Sequence, residues 1–189
     1  LGVLLLVGAV YVGISLRMAN RYVEERQQML NAQVAEHLLQ EVSPFQGDTI
    51  NQEALGQIMH SMMAVNPGIE VYLLDPTGNI LSYVAPYKKV RLERVDLQPV
   101  RSFIEQEGQA YIRGQDPRHP GQTKVFSAAP VREAGKLKGY VYIILAGDAY
   151  QSAKEMLLGS HMLRLGGWSL GITLLVALLL GLAVLYLVT

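Results

Sequence analysis

The chain contains no cysteine, which excludes disulfides, thiolate catalysis and cysteine-based zinc sites together. It also lacks an excess of either charge. Its 16 basic and 16 acidic residues balance, and no polybasic block or acidic tail points to nucleic acid as a partner. No H-E-x-x-H, no Walker-type glycine loop and no paired histidine ligands occur. The acids do not replace them, because Asp75 belongs to a turn and Glu105 and Glu107 fall at a helix end. His119 with Asp116 sits in a polar loop rich in Pro and Gly, which reads as a loop and not as a metal site. No catalytic residue, metal set or cofactor is expected. Internal repeats and low-complexity segments are absent as well.

Charge is missing altogether from both ends. Residues 165–188 form a run of 24 without a charged side chain; at ~1.5 Å per residue this is about 36 Å, enough to cross a ~30 Å hydrocarbon core. Residues 1–16 are equally free of charge and stop at Arg17. No Ala-x-Ala pattern follows them, as a cleaved leader requires, and Arg17, Asn20, Arg21, Glu24, Glu25 and Arg26 continue with helical composition. The expectation is a transmembrane helix at 1–16, N-terminally trimmed, and a second at 165–188. The domain between them, 17–164, then lies alone on one side of the membrane. The trimmed ends leave little for a positive-inside count, so the domain is assigned outside the cytoplasm on architecture.

What is present in that middle is ordinary soluble patterning. Residues 17–42 read as one long helix without Gly or Pro, striped by Ala19, Val23, Leu30, Val34 and Leu38, and Ser43-Pro44 ends it. A stripe of this kind serves a domain core or a dimer seam. A second helix is expected over 51–65, with Thr49 and Gln52 as a capping box; its Met59, Met62 and Met63 read as core. The period then changes to two. Strands are expected at 69–74 and 79–84 around the turn Asp75-Pro76-Thr77-Gly78. A short helix follows over 99–107, then strands at 109–113, 124–131 and 139–146, the last two joined across 132–136. A closing helix from 149 carries Tyr150, Ala153, Met156 and Leu157 towards the second span. Five antiparallel strands with helices covering one face make an α+β domain.

This order, with Val71-Tyr72-Leu73-Leu74-Asp75-Pro76-Thr77-Gly78-Asn79-Ile80-Leu81 as its first hairpin, resembles the extracytoplasmic PAS-like (PDC, or single-Cache) sensor domains. The stretch 124–131 followed by 139–145 is similar to the closing hairpin of such domains in bacterial sensor histidine kinases. The resemblance implies a five-stranded antiparallel PAS-like sheet with a long N-terminal helix between two transmembrane helices. It also implies a bacterial inner-membrane location with the domain periplasmic or extracellular. The second span would lead into a cytoplasmic output module acting on a response regulator. Within these 189 residues there is no phosphoacceptor-histidine helix and no nucleotide-binding module; His37, His60, His119 and His161 are scattered.

In PAS-like folds the pocket lies between the sheet and the elements covering it. Tyr83, Tyr111, Arg113 and Ser127 from strands, with Arg101 from the covering helix, are the candidate ligand-binding residues. Arginine there would favour a carboxylate or phosphate, because its fork matches two oxygens. A homodimer is expected from the single-stripe helix and from Gly167 and Gly171 as a G-x-x-x-G pair in the second span. The expected function is signal sensing by the input region of a two-component histidine kinase, with a small molecule or a protein as the signal. The alternatives are the sensor region of a chemoreceptor or cyclic-dinucleotide enzyme, and a bitopic assembly factor that binds proteins only.

Overall fold

The computed structural model describes residues 2–46, 49–51, 53, 56–57, 69–84, 90–145, 171 and 186. The chain divides into two units, Leu1–Gly147 and Asp148–Thr189. In the second, Gly171 and Tyr186 are helical; the architecture below is that of the first. The order is α1 (Gly2–Leu30), α2 (Val34–Glu41), β1 (Phe45–Gln46), β2 (Thr49–Ile50), β3 (Glu70–Leu74), β4 (Ile80–Val84), α3 (Leu97–Glu105), β5 (Arg113–Gln115), β6 (Thr123–Glu133) and β7 (Lys136–Ile144). Strands β1 and β2 form a small hairpin of their own. The other five make one antiparallel sheet in the order β4-β3-β7-β6-β5. The fold is therefore α+β, a curled five-stranded antiparallel half-barrel with a long N-terminal helix, compatible with the PAS-like resemblance.

The sheet is buried on both faces, not one. Every residue of β3 is buried, because side chains alternate across a strand and both sides are covered. Val71, Leu73, Val125, Ala129, Val141 and Ile143 pack with Ala35 and Leu38 of α2. Tyr72, Leu74, Phe126, Ala128, Tyr140, Tyr142 and Ile144 pack with Val95, Leu97, Val100 and Phe103 of α3 and its approach. The face towards α3 carries the tyrosines, and it positions the site described below.

Local chemistry explains the turns. Asp75 closes the first hairpin through Oδ1, which accepts from the Thr77 amide (2.7 Å), the Thr77 hydroxyl (2.7 Å) and the Asn79 amide (2.9 Å). Burial alone would raise this carboxyl, but the hydrogen bonds from Thr77 and Asn79 outweigh it and lower it to about 2. Gly78 takes φ +98°, and a Cβ there would run into the Val95 carbonyl. Helix α3 begins two residues before the expected position, because Asp96 caps it by accepting from the Gln98 amide. It ends with Glu107 at φ 52°, the Glu107 amide donating to the Ile104 carbonyl and the Gly108 amide to the Phe103 carbonyl. That is a Schellman end with glutamate where glycine is usual.

Three expectations change. The single helix over 17–42 is two helices, broken at residues 31–33. The cause is tertiary: the Ser127 hydroxyl on β6 donates to the Ala32 carbonyl (2.7 Å) and accepts from the Ala35 amide (3.1 Å). The third strand is shorter and later than 109–113, at Arg113–Gln115. Finally, no helix among the described residues is long and apolar enough to cross a membrane. The charge-free part of α1 runs from Gly2 to Leu16, and at ~1.5 Å per residue its fifteen residues rise only about 22 Å. The expected span at 165–188 lies outside the described residues except for Gly171 and Tyr186, as does most of the helix expected over 51–65 and all of the one from 149.

Candidate functional site

At the end of the sheet where β3 and β6 begin, the face towards α3 turns from aromatic to ionic. Glu70, in phase with Tyr72 and Leu74, is fully buried, and so is Asp116 just after β5. Lys124 of β6 and Arg118 of the 116–122 loop are nearly so. Glu70 Oε1 meets Arg118 Nη1 at 2.9 Å, and Glu70 Oε2 accepts from the Tyr72 hydroxyl at 2.6 Å. Asp116 Oδ2 lies 2.9 Å from both Lys124 Nζ and His119 Nδ1. Its Oδ1 accepts from the Arg118 amide at 2.9 Å. Two carboxylates thus face a lysine and an arginine, and the His119 ring, 36 % exposed, is the part open to solvent.

The 116–122 loop winds around the Asp116 carboxylate, with the Asp116 amide on the Gln122 carbonyl and the His119 amide on the Asp116 carbonyl. The Pro117 carbonyl accepts from the amides of Arg91 and Leu92, so the 90–95 segment is tied to the same loop. Tyr142 completes the cluster: its hydroxyl donates to the Gln115 carbonyl at 2.7 Å, and its ring lies 5.0 Å from that of Phe126. Gly114 is required beneath it, because a Cβ there would strike the Tyr142 hydroxyl.

The electrostatics follow from burial. Burial alone would push the Asp116 carboxyl up, but Lys124, His119 and the Arg118 amide outweigh it and hold it below the ordinary carboxylate value. Burial, with Glu70 beside it, drives the Tyr72 phenol far above its usual value. Burial, then Asp116 and Glu70, do the same to Tyr142. Both phenols therefore stay protonated donors. The carboxylates of the cluster are closed off from solvent, and the His119 ring is the group that reaches it. The cluster is an ion network that fixes a loop to a sheet, and its geometry changes only if a carboxylate is neutralised or displaced. Among the described residues no group of three or more His, Asp or Glu is placed to hold a metal. A G-x-S-x-G spacing does occur at 167–171; the strand-to-helix turn that would expose its serine is not among the described residues.

The five candidate ligand residues fall in four places, only Tyr111 and Arg113 being brought together. Tyr83 lies on the edge strand β4, 41 % exposed, beside a cleft of ≈ 390 Å³ with Val90 and Leu92. Arg101 lies on the outer side of α3, lining a cleft of ≈ 860 Å³ with Arg94, Gln98 and Glu105. Tyr111 and Arg113 are brought together by α1: the Tyr111 hydroxyl donates to Glu24 Oε2 (2.7 Å), and Arg113 Nε lies 3.8 Å from the same oxygen. The Arg21 guanidinium sits 5.4 Å from the Tyr111 ring centroid. Ser127 is buried on the opposite face of the sheet, committed to the helix break. The buried cluster was not among the sequence candidates. The signal for it was Glu70, a charge within a strand apolar on both faces.

The chain matches no protein-family model and no curated protein.

Proposed function

We propose that this chain is the input region of a transmembrane signal sensor, of the kind that serves two-component histidine kinases. The domain detects an extracytoplasmic signal and passes it to a cytoplasmic output module, which acts on a response regulator. The observation that carries this reading is α1. It runs as one unbroken helix from the charge-free segment into the domain, where its last turn is hydrogen-bonded to the sheet. Gln27 Nε2 donates to the Leu145 carbonyl at the exit of β7 (3.0 Å), and Gln28 is fixed to β6. A charge-free helix fastened in this way moves with the domain. The charge-free run at 165–188 supports a membrane span, and the PAS-like sheet order supports a sensing role. The signal acts at the ion cluster, whose two buried pairs give the domain a discrete element to switch.

The same helix supports a homodimer. The expected stripe divides at the break: on α2, Leu38 is buried and Val34 half-buried against the sheet, whereas on α1 Val23 is 47 % and Leu30 82 % exposed. The α1 part packs against its twin in this reading. The absence of native cysteine makes the test direct. With Lys136→Cys at the start of β7, a membrane-impermeant maleimide should label intact spheroplasts. Labelling only after permeabilisation would overturn the placement. Val23→Cys should form an intermolecular disulfide under mild oxidation, and its failure to do so while Lys136→Cys is labelled removes the dimer alone.

A further inference from the structure

Strand β5 is three residues long, and the groups at its two ends are unusual. After it comes Asp116, the centre of the ion cluster. Before it comes Ile112, which falls opposite Phe126 by the register that pairs Arg113 with Val125. At that point the Gln28 side chain bridges the two strands. Its Nε2 donates to the Ile112 carbonyl (2.7 Å) and the Phe126 carbonyl (2.9 Å), and its Oε1 accepts from the Ile112 amide (3.0 Å). Gln28 is fully buried. The carboxamide of an α1 residue therefore bridges the two strands one step beyond the last β5–β6 pair.

We infer that β5 is a lever between the ion cluster and α1, with Gln28 as the positioning residue that takes up its movement. The inference rests on the sensor reading and names the regulation of that same site. Apolar contacts are non-directional and let a helix slide. Three hydrogen bonds to two strands allow neither rotation nor translation of α1 without breaking. Asp116 lies four positions after Ile112, about 13 Å at ~3.3 Å per residue, so a shift of the 116–122 loop reaches Gln28 along a rigid strand. A second connection runs in parallel: the Gln115 carbonyl holds Tyr142, Tyr142 packs on Phe126, and the Phe126 carbonyl is held by Gln28. One step along β6, Ser127 fastens the break between α1 and α2, so the helix is held at consecutive strand positions.

Spatial continuity alone is not coupling, so the test measures coupling. In a double-mutant cycle on the full chain, Gln28→Met and Asp116→Asn are made singly and together, and urea unfolding is followed. Residues this far apart without shared partners should be additive within about twofold in the unfolding constant. The lever requires a departure of at least about tenfold, while Gln28→Met with Lys138→Gln, at the far hairpin, stays additive. Additivity of Gln28 with Asp116 overturns the inference. If the double variant does not fold, amide exchange of Asp116→Asn alone decides. The lever requires faster exchange at Ile112 and through residues 27–31, with β3 and β4 unchanged; acceleration confined to 116–122 overturns it. Neither readout depends on the membrane, so a coupled chain with misplaced topology sinks the sensor reading and leaves the lever standing.

Discussion

Glu70 offers the sharpest test of the buried cluster. Replacing it by Gln keeps the shape and removes the charge. One oxygen remains to serve either Arg118 or the Tyr72 hydroxyl, and the new amide group turns a donor towards the other, which is itself a donor. Removing one member of a buried ion pair costs about 3–5 kcal/mol, a large share of the ~5–15 kcal/mol that holds a domain folded. With a urea dependence of ~2 kcal/mol per M, the midpoint should fall by about 1.5–2.5 M. The melting temperature should fall by roughly 10–15 °C for a domain of this size. Near-UV circular dichroism is the suitable probe, because Tyr72 and Tyr142 are both fully buried beside the pair. High salt should leave the loss intact, since a desolvated pair is poorly screened. The pair Lys138–Glu133 at 3.6 Å is partly open to solvent, and Glu133→Gln should change stability by at most ~1 kcal/mol and less in salt. The argument fails if Glu70→Gln costs under ~1 kcal/mol, or if salt erases its cost.

Other substitutions follow from the same contacts. Ser127→Ala removes both hydrogen bonds at the helix break and should cost about 1–3 kcal/mol in urea unfolding, with faster amide exchange at Ala35. Glu107→Gly relieves the left-handed end of α3 and should raise stability by about 0.5–1 kcal/mol. Gly114→Ala should lower it by ~1–3 kcal/mol, since the added methyl meets the Tyr142 hydroxyl. Acid should destabilise through Asp75 and Asp116, both lowered in the fold. Their stabilisation is present above pH ~3.9 and is lost as pH falls through the folded values, about 2 for Asp75; Asp75→Asn should flatten that limb of the pH–stability curve. At the alkaline end Tyr111 is raised to about 12 by burial and by Glu24. Its stabilisation is present below pH ~10 and lost as pH rises through 12; Tyr111→Phe should remove the matching step in tyrosinate absorbance.

The hairpins were readable because their chemistry is local. Asp75 and Gly78 need only each other's neighbours to close a turn, and Ala134 and Gly135 turn tightly, both at positive φ. The break at 31–33 was not readable. Asn31, Ala32 and Gln33 include neither glycine nor proline, and the chain turns there because Ser127 reaches in from 95 residues away. The ion cluster was hidden for a related reason. Asp116, Arg118 and His119 stand in a polar loop, and nothing local distinguishes a buried charge from a solvated one when its partners come from other strands. Glu70 was the exception: with Tyr72 and Leu74 in phase and Val71 and Leu73 on the other side, no face of β3 was free to meet water. Ser127 is legible as a polar strand residue, but strand alternation alone does not say which partner it meets, and its hydrogen bonds go to the helix break.

The anchoring of α1 at Gln27 and Gln28 has a consequence for length. Glu24 and Arg21 extend this hold through Tyr111, and before Arg21 the angular phase of the helix is set by counting residues back from these contacts. One residue inserted between Arg17 and Arg21 turns everything before it by about 100° and raises it by ~1.5 Å. Seven inserted residues, close to two full turns, restore nearly the same facing. Insertions within 31–33 leave that phase untouched, because the clamp lies on the other side of the break. Length changes at the break therefore spare the facing of the helix, while in the segment before Arg21 the number of residues decides which face it presents.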